Sequence, residues 1–125
     1  MQTIQQQRAK FALEQVQSAA NATDPKVNKA EYKSYASALP AMIHMNGLGQ
    51  AAAFYKAQGG THEMLYQLLS EWLIKSNQPY AGESDLITAI TNNDMHSYRL
   101  AQAGAQALMD WVKKFAKAYM TEEKP

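Results

Sequence analysis

The sequence predicts an all-α fold, a single-domain bundle of about five to seven helices, and three observations lead there. Apolar residues recur at steps of three and four along nearly the whole chain, and no run alternates at period two. Apolar residues make up 46% of the chain, too many for a disordered one. Its 125 residues suit one compact domain with a single sizeable core. The expected domain is 1–125, with 1–7 and 120–125 as frayed ends.

The first helix is expected over about residues 3–21, with Ala9, Ala12, Leu13, Val16 and Ala20 as its buried stripe. Asp24-Pro25 reads as the start of the second, because Asp accepts from free amides at an N-cap and Pro fits the first helical position. That helix should stop at Leu39, since Pro40 disfavours helical geometry in the residue before it. Pro40 to Met45 then form a short helix closed by Asn46-Gly47, both tolerant of left-handed backbone. Another spans about Leu48 to Gln58, where Gly49, Ala52 and Ala53 suggest a second backbone passing close. Gly59-Gly60 ends it, and Thr61 is expected to cap an amphipathic helix over His62 to Asn77 that turns Leu65, Leu68, Leu69 and Trp72 inward. Pro79 to Gly82 is a loop, and Ser84 caps a short helix bearing Leu86, Ile87 and Ile90. Asn92, Asn93 and Asp94 interrupt it and supply the next cap. The last helix is the clearest: Tyr98, Ala101, Ala105, Leu108, Val112, Phe115 and Tyr119 alternate three- and four-residue steps over about six turns.

Several function classes find no support. No run approaches the roughly 18 apolar residues of a membrane span. Residues 1–7 lack the basic and apolar regions of a signal peptide, and there is no cysteine, so a cytoplasmic protein without membrane contact is expected. His44, His62 and His96 match no metal-ligand spacing. Asn46-Gly47-Leu48-Gly49-Gln50 has neither the preceding strand nor the lysine of a phosphate loop. The expectation is no enzyme, no catalytic residue, no metal and no cofactor; His44 becomes a candidate base only if folding brings it a partner.

Charge is segregated although the net is +1. Residues 1–60 carry six Lys/Arg against three Asp/Glu, 61–112 two against six, and 113–125 four against two. Lys26, Lys29 and Lys33, with Ser37 beyond them, fall on one face of the second helix. Arg99, Gln102, Gln106, Lys113 and Lys117 line the solvent face of the last, with Lys114 beside them and Asp110 interrupting. A solvated face explains both rows; a phosphate track, giving salt-dependent and sequence-indifferent affinity, is the functional reading. Tyrosines and tryptophans can stack on bases, but Tyr98, Trp72 and Trp111 fall on buried stripes.

Two blocks go further. One is Tyr35-Ala36-Ser37-Ala38-Leu39-Pro40-Ala41-Met42-Ile43-His44-Met45-Asn46-Gly47-Leu48-Gly49-Gln50-Ala51 followed by Ala53-Phe54; the other is Tyr98-Arg99, Ala107 and Trp111-Val112-Lys113-Lys114-Phe115-Ala116. Together they resemble the small-subunit family of the type III-B, or Cmr, CRISPR effector complexes, over roughly residues 8 to 119. The resemblance implies a helical, non-catalytic brace lying in several copies along RAMP-type backbone subunits, touching its own copies and the other Cmr subunits, and supporting guide RNA and target RNA. Of the matching residues, Leu39, Pro40, Ile43, Gly47, Leu48, Gly49 and Phe54 read as determinants of a tight helix corner, within which Asn46 and Gln50 could bond backbone. Tyr98, Trp111 and Phe115 read mainly as structural too. Arg99, Lys113 and Lys114 are the matching residues most suited to RNA. Lys117, Arg8, Lys10, Lys29 and Lys33 join them on charge and helical phase. The rival reading is a helical adaptor that binds protein and not RNA.

Overall fold

The most strongly patterned segment is also the longest helix, α6 (Met95–Tyr119), capped where Asp94 accepts from the Ser97 N–H at 2.9 Å. Ala101, Ala105, Leu108, Val112 and Ala116 are all buried along it. Around it the computed structural model, which describes residues 1–120, places α1 (Ile4–Ala20), α2 (Lys29–Asn46), α3 (Leu48–Gln58), α4 (Gly60–Leu73) and α5 (Leu86–Asn92). These six helices, with no strand among the described residues, form one all-α domain. Both α1 and α2 lie along α6, while α3 and α4 pack on each other and on α2. Of the tail expected to fray, 121–125 lie outside the described residues; Met120 is buried and donates its N–H to Ala116 O at 2.9 Å.

Thr3 begins α1 with a reciprocal capping box, its Oγ1 accepting from Gln6 N–H and its own N–H donating to Gln6 Oε1. Ala12 and Val16 are buried as the stripe predicts; Phe11, outside it, is buried against Trp72 with ring centroids 5.2 Å apart.

Several boundaries differ from expectation, each for a local reason. Asp24 does not start α2. Its Oδ1 accepts from Lys26 N–H and its O from Val27 N–H, a closed turn that leaves the capping to Asn28, which accepts from Glu31 N–H. Lys26 therefore drops out of the helix. Nor does Pro40 end it: α2 runs unbroken to Asn46. A proline removes one ladder bond, but Tyr32, Ala36, Leu39 and Ile43 form one continuous buried stripe whose packing outweighs that loss. Between α3 and α4 the cap is Gly59, without a side-chain bond; the Thr61 hydroxyl instead donates to Glu31 Oε1 at 3.1 Å. α4 stops at Leu73 rather than Asn77, and the chain folds back where Tyr80 N–H and Gly82 N–H donate to Leu73 O and Ile74 O.

α5 is short, and α4 holds its start. Asp85, not Ser84, is the cap, accepting from Thr88 N–H. Leu86 N–H donates to Ser70 Oγ at 3.0 Å, and Ile87 N–H to the Tyr66 hydroxyl, which itself donates to Asp85 Oδ2 at 3.0 Å. Burial pushes the Tyr66 hydroxyl up to about 12, so it remains a donor. The bonds from Thr88 and Tyr66 hold the Asp85 carboxyl below its ordinary range despite partial desolvation, and bonds from Ser97 do the same for Asp94.

The α2–α3 corner is tighter in backbone than in side-chain space. Gly47 sits at φ 85°, ψ 159°, a region essentially restricted to glycine, and a Cβ there would stand 3.1 Å from the Tyr98 hydroxyl. Gly49 is helical, and its nearest neighbour is the Tyr98 side chain, at an ordinary 3.5 Å from a built Cβ, rather than a passing backbone. Gly47→Ala is expected to cost about 2 kcal/mol, whereas Gly49→Ala should be neutral or slightly stabilising because alanine is the better helix former. Urea denaturation of the two variants separates these outcomes, and equal losses would refute the assignment. A second check is pH. Both carboxyls are depressed in the folded state, so their stabilisation is complete above the unfolded value and is lost as pH falls through the folded one. Stability should therefore drop between about pH 5 and pH 2. Asp85→Asn, an equally good cap, should flatten part of that fall in urea midpoints.

Candidate nucleic-acid interface

Two glutamines expected on the solvent face of α6 join it to α2 and to the start of α3 instead. Gln106 Nε2 donates to Pro40 O at 3.1 Å, and Gln102 Oε1 accepts from Leu48 N–H at 2.8 Å. Next to them Gly49 N–H donates to the Tyr98 hydroxyl at 2.8 Å. The bonds expected from Asn46 and Gln50 thus come from α6, and both of those residues are exposed. As the chain advances from Pro40 in α2 to Leu48 and Gly49 at the start of α3, its partners on α6 step back from Gln106 to Gln102 to Tyr98. The two helices are therefore antiparallel.

That register places the lysines. Lys33 and Lys113 each lie seven residues from the Pro40–Gln106 bond, Lys29 and Lys117 each eleven, and all four lie towards the same end. Seven and eleven residues are close to two and three whole turns, so all four keep the phase of the bonded pair. At 1.5 Å per residue they form two rungs about 10 and 16 Å beyond it. Lys33 and Lys113 are half-buried in the seam, Lys29 and Lys117 exposed. Arg99, exposed and seven residues before Gln106, continues the row at the corner end. Carried along both helices, that register sets the two stripes read separately in the sequence along one α2–α6 seam.

The other basic candidates lie elsewhere. Lys114 faces the α1 side of α6, sharing a cleft with Gln5, Asp110 and Trp111, whose Nε1–H donates to Gln5 Oε1. Lys10 lines a cleft with Glu14, Trp72 and Lys75, and Arg8 another with Ile4 and Leu100. Among the matching residues, Leu39, Ile43 and Leu48 are fully buried and Trp111 stacks on Phe115. Phe54, expected to hold the corner, is 45% exposed and lines a groove with Met42, Asn46 and Gln50; Met45 is 80% exposed.

Carboxylates and cations are used differently. Asp24, Asp85 and Asp94 cap turns or helices, while Glu31, Glu63, Glu71 and Glu83 take hydrogen bonds from Thr61, Lys56, Gln15 and Asn93. Among the described residues the one ion pair is Lys56–Glu63, so none of the seam cations is neutralised by contact there. His62 stacks on Tyr35 with centroids 3.7 Å apart, and no three His, Cys, Asp or Glu converge among the described residues. No described helix is long and apolar enough to cross a membrane.

An all-α domain with a motif-built corner and a basic seam defines the class, and comparison with known proteins supplies the family. The family described as CRISPR-associated protein (Cas_Cmr5) matches residues 4–119, and this chain belongs to it. It is 29% identical over 123 residues to the "CRISPR system Cmr subunit Cmr5" of Thermus thermophilus, spanning 98% of this chain and 100% of that protein. It also resembles the crystal structure of a CRISPR-associated Cmr5 family protein from the same organism, with TM-score 0.76 and 28% identity, covering 95% of this chain and 98% of that one.

The two rungs put like charges side by side, which costs stability at low salt. Lys113→Glu, opposite Lys33, is expected to stabilise by about 0.5 kcal/mol in dilute buffer, and the gain should vanish near 1 M salt. Urea midpoints at the two ionic strengths check this. No gain at low salt would mean the rungs are farther apart than the register requires.

Proposed function

We propose that this chain is a non-catalytic structural subunit of a type III-B, or Cmr, CRISPR complex that supports guide–target RNA through the α2–α6 seam. The observation that carries the reading is the register-matched lysine cluster: Lys29, Lys33, Lys113 and Lys117 on one face, with Arg99 further along the same row. From Arg99 to Lys117 is 18 residues, about 27 Å of helix, enough to follow several phosphates. Lysines contact phosphate oxygens without reading base edges, so this surface suits a role indifferent to sequence. Family membership supports the complex as its setting, with RAMP-type backbone subunits and further copies of the chain as partners and the cytoplasm as location. Lys114, Lys10 and Arg8 stand outside the seam and have no part in this contact.

A protein-only adaptor is the second reading, favoured by one observation, the groove of Met42 and the exposed Phe54. Salt separates the two. Single-stranded RNA binding by the full chain should weaken linearly on a log–log salt plot, and Lys33→Gln with Lys113→Gln should lower the slope by about 0.7 per lysine. Lys114→Gln should leave it unchanged. Native mass spectrometry of the chain co-expressed with Cmr subunits and guide RNA should show incorporation. Incorporation with no salt-dependent RNA affinity would select the adaptor; exclusion from an otherwise complete complex would refute both.

A further inference from the structure

On the α1 side of α6 a line of aromatic rings ends at an open place. Trp111 stacks on Phe115, with centroids 5.5 Å apart and planes 27° from parallel, and Phe115 meets Tyr119 at 6.3 Å. A helical side chain leans over the turn before it, so the second face of the Trp111 indole looks towards Ala107, one turn back, whose methyl is too small to cover it. A cleft of about 180 Å³ opens there, bounded by Ala107, Asp110, Trp111 and Lys114 of α6 and by Gln5 of α1. The ring is held in position across the gap, its Nε1–H donating to Gln5 Oε1 at 3.1 Å. A cavity of about 150 Å³ already takes benzene, so the space matches one flat ring. Asp110 and Lys114 are both exposed and one turn apart, yet they form no ion pair among the described residues.

We infer that this cleft takes one unpaired guanine base of RNA, stacked on Trp111. The inference rests on the RNA-supporting role proposed above and adds a base contact to it. Charge selects the class of ligand. Asp110 disfavours a phosphate or an acidic side chain, and Lys114 disfavours a lysine or an arginine. Together they suit a neutral group that carries N–H donors and an oxygen acceptor on one edge, and the indole face suits a flat aromatic one. Among the four bases guanine meets both conditions most fully. Its N1–H and 2-amino group point together at one carboxylate, and the adjacent O6 accepts from an ammonium. Adenine would set the lone pair of its N1 against Asp110, and cytosine and uracil each bring a single donor group. The edge used is the one that pairs in a duplex, so the base has to be unpaired. A keto oxygen neutralises no phosphate, so this role for Lys114 adds nothing to the salt slope of the seam.

The chain has two tryptophans, Trp72 and Trp111, so full-length protein gives two indole N–H resonances, assigned with Trp111→Phe. Trp72, only 3% exposed, is the internal control. The probes are uridine pentamers with guanosine, inosine or adenosine at the centre, used at ~1 M salt to screen contacts to phosphate. The Trp111 resonance should move saturably with the guanosine pentamer while Trp72 stays fixed. Inosine, which lacks only the 2-amino group, and adenosine should each bind about tenfold more weakly. Asp110→Ala, a change at an exposed position, should erase that preference. A Trp111 resonance that stays fixed, equal movement with guanosine and adenosine, or a preference that survives Asp110→Ala would overturn the inference. So would movement with an acetylated, amidated Gly-Arg-Gly peptide in place of RNA, which would give the cleft to a cationic protein partner. Movement with protein concentration alone would give it to a second copy of this chain and overturn the inference too. The seam is judged separately at low salt. If Lys33→Gln with Lys113→Gln leaves RNA affinity unchanged while Trp111 still selects guanosine, the seam fails and the cleft stands; salt-dependent affinity with an unresponsive Trp111 means the reverse.

Discussion

Two bonds from α6 side chains to the backbone of the α2–α3 corner fix the geometry on which the rest depends. The first amides of any helix lack intrahelical partners, and α3 begins at a glycine that has no side chain to cap them. Tyr98 and Gln102 supply the missing acceptors, taking the Gly49 and Leu48 N–H groups at 2.8 Å each. Gly47 can deliver those amides only because its positive φ turns the chain sharply between helices. With the corner seated on α6, the descending α2 has one register available, and the Gln106–Pro40 bond locks it. The lysine rungs follow from that register. A corner that carries no cation therefore sets where four cations stand, two to three turns beyond the Pro40–Gln106 bond.

The near-zero net charge conceals an unequal division of labour. Asp24, Asp85 and Asp94 sit where a turn and two helix N-termini need acceptors, and the first-turn partners of Asp85 and Asp94 draw their carboxyls below the ordinary range. Several glutamates are tied to side chains within the fold. Lysines and arginines, apart from Lys56, are left at the rims and seams of the described surface. A chain of net charge +1 can thus present a locally basic face without being basic overall, because most carboxylates of the described residues are held at caps, turns and internal bonds away from the lysine rows.

The helices were legible because period is a property of a single segment. All-α architecture, the α6 stripe, the Asp94 cap and the Gly59 and Gly47 breaks can each be read within one window of sequence. What escaped was set by partners outside the window. Pro40 reads locally as a stop, but the stripe from Tyr32 to Ile43 is buried on other helices, and tertiary packing outweighs one lost ladder bond. Asp24 and Asn28 are both good caps, and only the turn that Asp24 closes on Lys26 shows which one α2 uses. Gln102 and Gln106 read as solvated because polar residues on a wheel look alike whether they meet water or, as here, a backbone N–H and a backbone carbonyl. The lysine candidates were visible as two rows, but their meeting needed the antiparallel register.

α2 carries the division further, since its two sides present opposite chemistry. Met42 lies nine residues after Lys33, two and a half turns of helix, and so on the opposite side. One side runs along the basic seam; the other opens with Met42 and Phe54 into a groove completed by Asn46 and Gln50, all side chains without charge. Burial accounts for Leu39, Ile43 and Leu48, whose side chains are fully enclosed, but it gives no reason for a half-exposed phenylalanine in the groove. An exposed apolar group of this kind is stabilised only when something covers it. Phosphates would be repelled by neither side of α2, yet only the seam offers them donors. The groove offers contact area to an apolar surface alone. A helix arranged in this way keeps polyanion and protein contacts from competing for the same residues, as the proposed role between RNA and protein requires.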